Sequence, residues 1–250
     1  MKKKKAILFT ILGIVLVCCF ISVLFFYTYS VSGKITDLAN KEPVPDIEVS
    51  INGLIDKTNT NGFFEIKHIK LYQKGPLQIE ATKDYEEISS ISLDYSNRNI
   101  IHNIEIKPTL KVMVNRMNIA SRNVQYDYLW DYMHSDDQQY WESRDNYIEA
   151  FKKLFGMNTE LGYSAPERKI EENIRKLEQW KHEITNKEYT NVMEVPVEVK
   201  IIYDGKEQTQ IVLQHWQKIN GVWRYFTQAD KEASEEVIKA YEELKDLFSD

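Results

Sequence analysis

Residues 189–226 read YTNVMEVPVEVKIIYDGKEQTQIVLQHWQKINGVWRYF, and they decide the fold of the C-terminal half. Asp204-Gly205 and Asn220-Gly221 are two-residue hairpin signals, because both positions of a tight hairpin turn take left-handed backbone. They divide the stretch into strands over Tyr189 to Tyr203, Thr209 to Ile219 and Val222 to Phe226. Side chains alternate across a sheet. Met193, Val195, Val197 and Val199 therefore share the face expected to be buried, opposite Val192, Glu194, Pro196 and Glu198.

Working outward, the segment from Ala120 to Met133 places Val124, Tyr128, Leu129 and Tyr132 at helical spacing. Ser143 is a helix N-cap with Asp145 in the first turn. Tyr147, Ile148, Phe151, Leu154 and Phe155 form the apolar stripe of that helix, and Gly156 is expected to close it. Residues 170–184 conflict: Ile170, Ile174, Leu177 and Ile184 fit a helix, yet the chain beyond Ile184 is strongly β. Ala229 to Asp250 predicts an amphipathic helix with Val237, Ile238, Tyr241, Leu244 and Phe248 on one side and an acidic face on the other. Helices followed by turn-linked strands predict an α+β roll with a curved antiparallel sheet over 109–228, and 229–250 as a C-terminal helix.

Residues 30–108 predict an all-β sandwich. Val31 to Ile35, Ile47 to Ile51, Phe63 to Ile66, Leu77 to Ala81, Ile88 to Leu93 and Ile100 to Ile106 are short apolar-rich runs separated by turn residues such as Asn52-Gly53 and Asn59 to Gly62. Turns every eight to twelve residues predict about seven antiparallel strands. Lys34 is the candidate for a Lys–Asn isopeptide bond, but it points away from the face shared by Val31, Gly33 and Ile35.

At the N-terminus, Lys2 to Lys5 precede an apolar run from Ala6 to Tyr27 without a charge. A bilayer needs about 20 apolar residues, so residues 1–29 predict a single transmembrane helix with a cytoplasmic N-terminus and the bulk of the chain extracytoplasmic. A cleaved signal would have a shorter apolar region and a small-residue cleavage site. A lipidated cysteine would follow a small residue, whereas Cys18 follows Val17. These two cysteines are the only ones, so no disulfide is expected beyond the run.

Two resemblances rest on these residues. Val31 to Asp37, Pro45 to Ile51, Thr58 to Ile66 and Ile79 to Tyr85 together resemble the carboxypeptidase regulatory-like, transthyretin-type sandwich, which implies a spacer or accessory module. Tyr128 to Asp136, Ser143 to Ala150, Trp180 to Tyr189 and Gln217 to Phe226 resemble bacterial extracytoplasmic members of the nuclear transport factor 2-like fold. Because that likeness covers Trp180, it implies a strand over Ile174 to Ile184.

The chain carries 32 basic and 38 acidic residues, a net charge of −6, and no basic block outside the N-terminal lysines. Nucleic acid is therefore not an expected partner. The five histidines make no H-x-x-x-H pair, and no phosphate loop, dinucleotide fingerprint or G-x-S-x-G occurs. No catalytic residue, metal or cofactor is expected. His134 with Asp136 and Asp137 could form a general acid–base pair, or a loop between two helices. Trp130 and Trp141 bracket that loop, so Trp130, His134, Asp136 and Trp141 are the candidate ligand pocket; the tryptophans otherwise read as core. The expectation is a membrane-anchored binding or scaffolding protein, with a protein partner or self-association through the roll. The alternatives are a small-ligand sensor or enzyme using the cone of the roll, and an accessory subunit of an envelope or conjugation machine.

Overall fold

A computed structural model describes residues 13–16, 27–80, 82–88, 90–164 and 167–247. The chain divides into two compact units, Met1–Thr109 and Leu110–Asp250.

The N-terminal apolar run corrects one expectation. Among the described residues no helix is long and apolar enough to cross a membrane. Within the run only residues 13–16, which are helical, and Tyr27 are described. This finding overturns the predicted transmembrane helix, and with it the single-pass localisation and membrane attachment inferred from it. Lys2 to Lys5, Cys18 and Cys19 lie outside the described residues, as does Phe248.

The first unit holds β1 (Thr28–Asp37), β2 (Glu48–Ile51), β3 (Leu54–Lys57), β4 (Phe63–Lys70), β5 (Gln78–Glu80), β6 (Asn99–Ile101) and β7 (Ile104–Ile106). One sheet is ordered β4-β1-β6, with β7 also on β1; the other is ordered β3-β2-β5. Val31, Ile35, Phe64 and Ile66 from the first sheet and Val49, Ile51 and Ile79 from the second belong to one apolar core. The expected all-antiparallel pattern needs correcting. β1 pairs antiparallel with β4, but parallel with β6 and β7. The chain reaches β6 by a long passage after the second sheet, not by a hairpin, and only hairpins force antiparallel neighbours. Among the described residues, the run from Ile88 to Leu93 makes no strand; Ile91 bridges Leu77, and Ile88, Ile91 and Leu93 pack against the core. Lys34 is exposed. Gly33 is required by a close approach: a Cβ there would lie 1.9 Å from the His102 carbonyl oxygen.

The second unit opens with α1 (Leu110–Arg122), α2 (Tyr126–Tyr132), α3 (Ser135–Tyr140) and α4 (Arg144–Glu160). The periodicity read across 120–133 is broken between two helices, where Val124 takes a positive φ of 59°. Residues 135–140, expected as loop, form α3. Ser143 does cap α4, accepting the Asn146 N–H at 3.1 Å. Gly156 does not end α4, because one mid-helix glycine costs only about 1 kcal/mol and the helix continues to Glu160.

The strands are β8 (Glu167–Ile170), β9 (Arg175–Lys181), β10 (Glu188–Tyr203), β11 (Lys206–Ile219) and β12 (Val222–Phe226). The sheet runs β12-β11-β10, with β8 and β9 both pairing antiparallel along β10. Asp204, Gly205, Asn220 and Gly221 all have positive φ, so both hairpins turn as two-residue loops of the primed type. The ambiguity over 170–184 is thus settled as strand for 175–181. Val195, Val197 and Val199 are buried as expected, but Met193 is only half-buried, and Val192, Glu194 and Pro196, placed on the other side, are buried too. α5 (Lys231–Leu247) packs on α4, with Tyr241 Oη donating to Glu160 Oε2 at 2.6 Å and Lys245 Nζ beside the same carboxylate at 2.9 Å.

Candidate functional site

Register places a row of side chains on the face of the sheet that meets the helices. Arg168 stands opposite Val199, Ile170 opposite Val197, Gln210 opposite Val199, and Tyr225 opposite Trp216. Met117 and Ser121 of α1, Leu129 of α2, and Tyr147 and Phe151 of α4 close over this row. The helices do not fill the space. A cavity of about 340 Å³ remains, floored by Val199, Ile201, Val212 and Tyr225. A second recess of about 450 Å³ shares Ser121, Leu129, Phe151, Arg168 and Ile201, and continues past Tyr126, Leu154 and Phe155.

The walls are mostly aliphatic and aromatic, with a few inward polar groups. Tyr225 Oη and Tyr147 Oη lie 3.3 Å apart. Burial pushes the Tyr147 phenol up to about 12 and the Tyr225 phenol well above its ordinary value, so both stay protonated donors. Gln214 is already committed: its Nε2 donates to Asn118 Oδ1 at 3.2 Å and its Oε1 accepts from Trp216 Nε1 at 3.3 Å.

Among the described residues, Arg168 is the only charged one in the lining of either recess, and neither lining contains an acid. Its Nε is shielded from solvent and makes no hydrogen bond among the described residues. Desolvation draws its pKa down, opposed only by the nearby Tyr225. Arg168 as a whole is half-buried, and a partly desolvated cation without a counter-ion is costly, so side chains in such positions are normally paired.

The candidates from sequence lie elsewhere. None of Trp130, His134, Asp136 and Trp141 lines either recess. Trp141 is fully buried, edge-on to Tyr147 with ring centres 5.3 Å apart. Trp130 packs on the same tyrosine at 5.7 Å. His134 and Asp136 belong to a ring cluster built on Phe226. That residue comes directly after Tyr225 and so turns its side chain to the other side of the strand, while it also borders the first recess. His134 stacks on Phe226 at 4.3 Å, and Trp180, Tyr189 and His182 surround it at 4.8, 4.7 and 5.5 Å.

In this cluster every histidine nitrogen of His134 and His182 has a task. His134 Nδ1 accepts the Asp136 N–H at 3.2 Å, which caps α3 and leaves the proton on Nε2. Nε2 then donates to Gln217 Oε1 at 3.1 Å. His182 Nδ1 accepts the Thr185 N–H at 3.1 Å, so its Nε2 donates to the Thr227 carbonyl at 3.2 Å. Desolvation lowers both imidazoles below the ordinary value, in keeping with neutral rings. Asp136 accepts from Tyr189 Oη at 2.6 Å and meets Lys187 at 3.1 Å, and the tyrosine bond chiefly lowers its pKa. Asp137 is fully buried; Oδ2 accepts the Thr227 N–H at 2.7 Å, while Oδ1 lies 3.5 Å from His182 Nε2. Desolvation raises its carboxyl to about 7. The aspartate that faces a histidine nitrogen most directly is therefore Asp137 with His182, since His134 and Asp136 stand 4.0 Å apart. No group of three or more potential metal ligands occurs among the described residues.

Arg168 does not stand out in the sequence because it falls where helical and strand signals conflict. Its side of the strand cannot be read until its pairing with Val199 is known. The legible signal is local: Glu167-Arg168-Lys169-Ile170 places Arg168 and Ile170 on one face if the segment is a strand.

No family model matches the chain, and no curated protein matches it. Among solved structures, the chain is similar to a 9R-lipoxygenase from Cyanothece PCC8801 at 11% identity and a TM-score of 0.22. That match covers 85% of this chain and 44% of the lipoxygenase, so the chain spans less than half of that protein's length. Similarity at this level carries no argument about fold or activity, and it does not establish whether the protein is an enzyme.

Proposed function

We propose that the second unit binds a small organic molecule in the space between its helices and its sheet, without covalent chemistry. The observation that supports this is the unfilled, mainly apolar cavity with a few inward polar groups, within the size range of small-molecule sites. A cone plugged by apolar side chains would have favoured scaffolding. The ring cluster on Phe226 does not supply acid–base chemistry in this reading, because its imidazoles are spent on fixed internal hydrogen bonds.

The test uses the full chain and Nile red, a neutral dye whose emission shifts in apolar surroundings. Saturable binding is expected, and Ser121→Phe, which fills the cavity from α1, should weaken it at least tenfold with an unchanged melting temperature. Equal dye binding by a folded Ser121→Phe protein would overturn the proposal.

Protein binding through the sheet is a second reading, supported by the exposure of Ile211 and Leu213 on the opposite face of β11. It predicts self-association or partner capture that is insensitive to Ser121→Phe and lost in Ile211→Asp.

A further inference from the structure

We propose that the cavity's ligand is an organic monocarboxylate, its carboxylate held by the Arg168 guanidinium and its apolar body lying between the helices and the sheet. This rests on the cavity reading above and names the chemical class it takes.

Four observations converge. Arg168 is the single charge in the lining, and no acid from α1, α2, α4, β10, β11 or β12 faces it there. Its Nε is buried and unpartnered. The chain has 38 acidic residues and could have supplied a counter-ion at little cost in sequence, yet the lining holds none. The remaining wall is mainly apolar: Leu129, Phe151, Val199 and Ile201 would contact the body of a ligand.

The guanidinium is planar, always charged and shaped to take two carboxylate oxygens at once. One positive charge in an apolar cavity is neutralised by one negative charge. A dianionic phosphate would leave a charge uncompensated, which disfavours it. The tyrosine pair adds a directed donor. With Tyr147 and Tyr225 hydrogen-bonded to each other at 3.3 Å, one hydroxyl proton is used between them and the other is left to donate. Tyr147, Tyr225 and Arg168 all line the same recess, so the spare proton is available to a ligand held there.

The experiment is calorimetric titration of the full chain with decanoate and with decanamide, its neutral counterpart of the same shape, alongside Nile red. The wild type should bind decanoate at least tenfold more tightly than decanamide. Arg168→Met, checked for folding by its melting curve, should lose that preference while Nile red still binds. Equal affinity for decanoate and decanamide, with Nile red binding intact, would sink the carboxylate assignment and leave the cavity reading standing. Absence of both decanoate and Nile red binding would remove the cavity reading and this inference with it. A decanoate preference that survives Arg168→Met would place the anion elsewhere and also overturn the inference. The wild-type comparison needs no variant, so it decides even if Arg168→Met fails to fold.

Discussion

Tyr225 and Phe226 are adjacent in β12, and the surroundings of their two side chains are built on opposite plans. Around Phe226, His134 and His182 have both ring nitrogens engaged, and three of the surrounding rings sit within 5 Å. Around Tyr225 the space is partly empty and the nearby guanidinium lacks a carboxylate. Satisfied polar groups rigidify a fold, whereas an unsatisfied one beside a cavity is a binding opportunity. The histidines and Asp136, which look chemical in the sequence, belong to the satisfied side; Asp137 is the exception, its Oδ1 buried without a hydrogen bond among the described residues.

The sharpest way to break this comparison is Phe226→Ala. If the Phe226 side is structural, removing its central ring should cost about 3–5 kcal/mol, measured by chemical denaturation of the full chain. A change below about 1 kcal/mol would show that the ring cluster is not holding the unit together.

Asp137→Asn tests the same side through pH. The folded carboxyl titrates at about 7 against 3.8 when unperturbed. Between those values the folded state keeps a proton that the unfolded chain has released. Stability from this group is therefore present below about pH 4 and is lost as pH rises to 7. The lowered values of His134, His182 and His215 act the other way, removing stability as pH falls below about 6.5. Asp137→Asn should leave only the histidine slope, gaining on the wild type from pH 4 upward by at most about 4 kcal/mol above pH 7. Parallel wild-type and mutant profiles would refute the assignment.

On the cavity side the sign reverses for a polar deletion. Arg168→Met should raise stability by at most about 1 kcal/mol, because it removes a partly desolvated charge without orphaning a partner. A loss of stability would mean that the guanidinium is satisfied in solution and would weaken the contrast. The smallest effect belongs to Lys187→Ala. Its pair with Asp136 is half exposed, and such pairs contribute about 0–1 kcal/mol.

The features legible in the sequence are local ones. The two hairpins are readable from Asp204-Gly205 and Asn220-Gly221, because a left-handed pair leaves the chain few other routes. The Ser143 cap is readable from one hydroxyl and one backbone donor. Features set by distant partners are not legible. The parallel seating of β6 and β7 on β1 depends on a passage of some thirty residues after β4. The helix α1, with Met113, Val114, Met117 and Ala120 on its buried side, lies mostly before the segment read as helical and ends just short of the Val124 turn. The apolar run before Tyr27 meets the compositional rule for a span, but composition states only which solvent a segment tolerates. For the candidate site, residue type draws attention to His134 and Asp136. The cavity is defined by what faces Arg168 across the space, and no single segment records that.

The position of β1 also has a consequence for synthesis. It is the first strand of its unit to leave the ribosome, yet it is the strand on which β4, β6 and β7 all assemble. Until Asn99 to Ile106 have emerged, one edge of β1 has no strand to pair with, and open edges recruit other chains. Nascent or truncated products ending before Asn99 are therefore the species from which this protein should aggregate. The second unit, whose strands β10, β11 and β12 succeed one another through two-residue turns, closes as it is made.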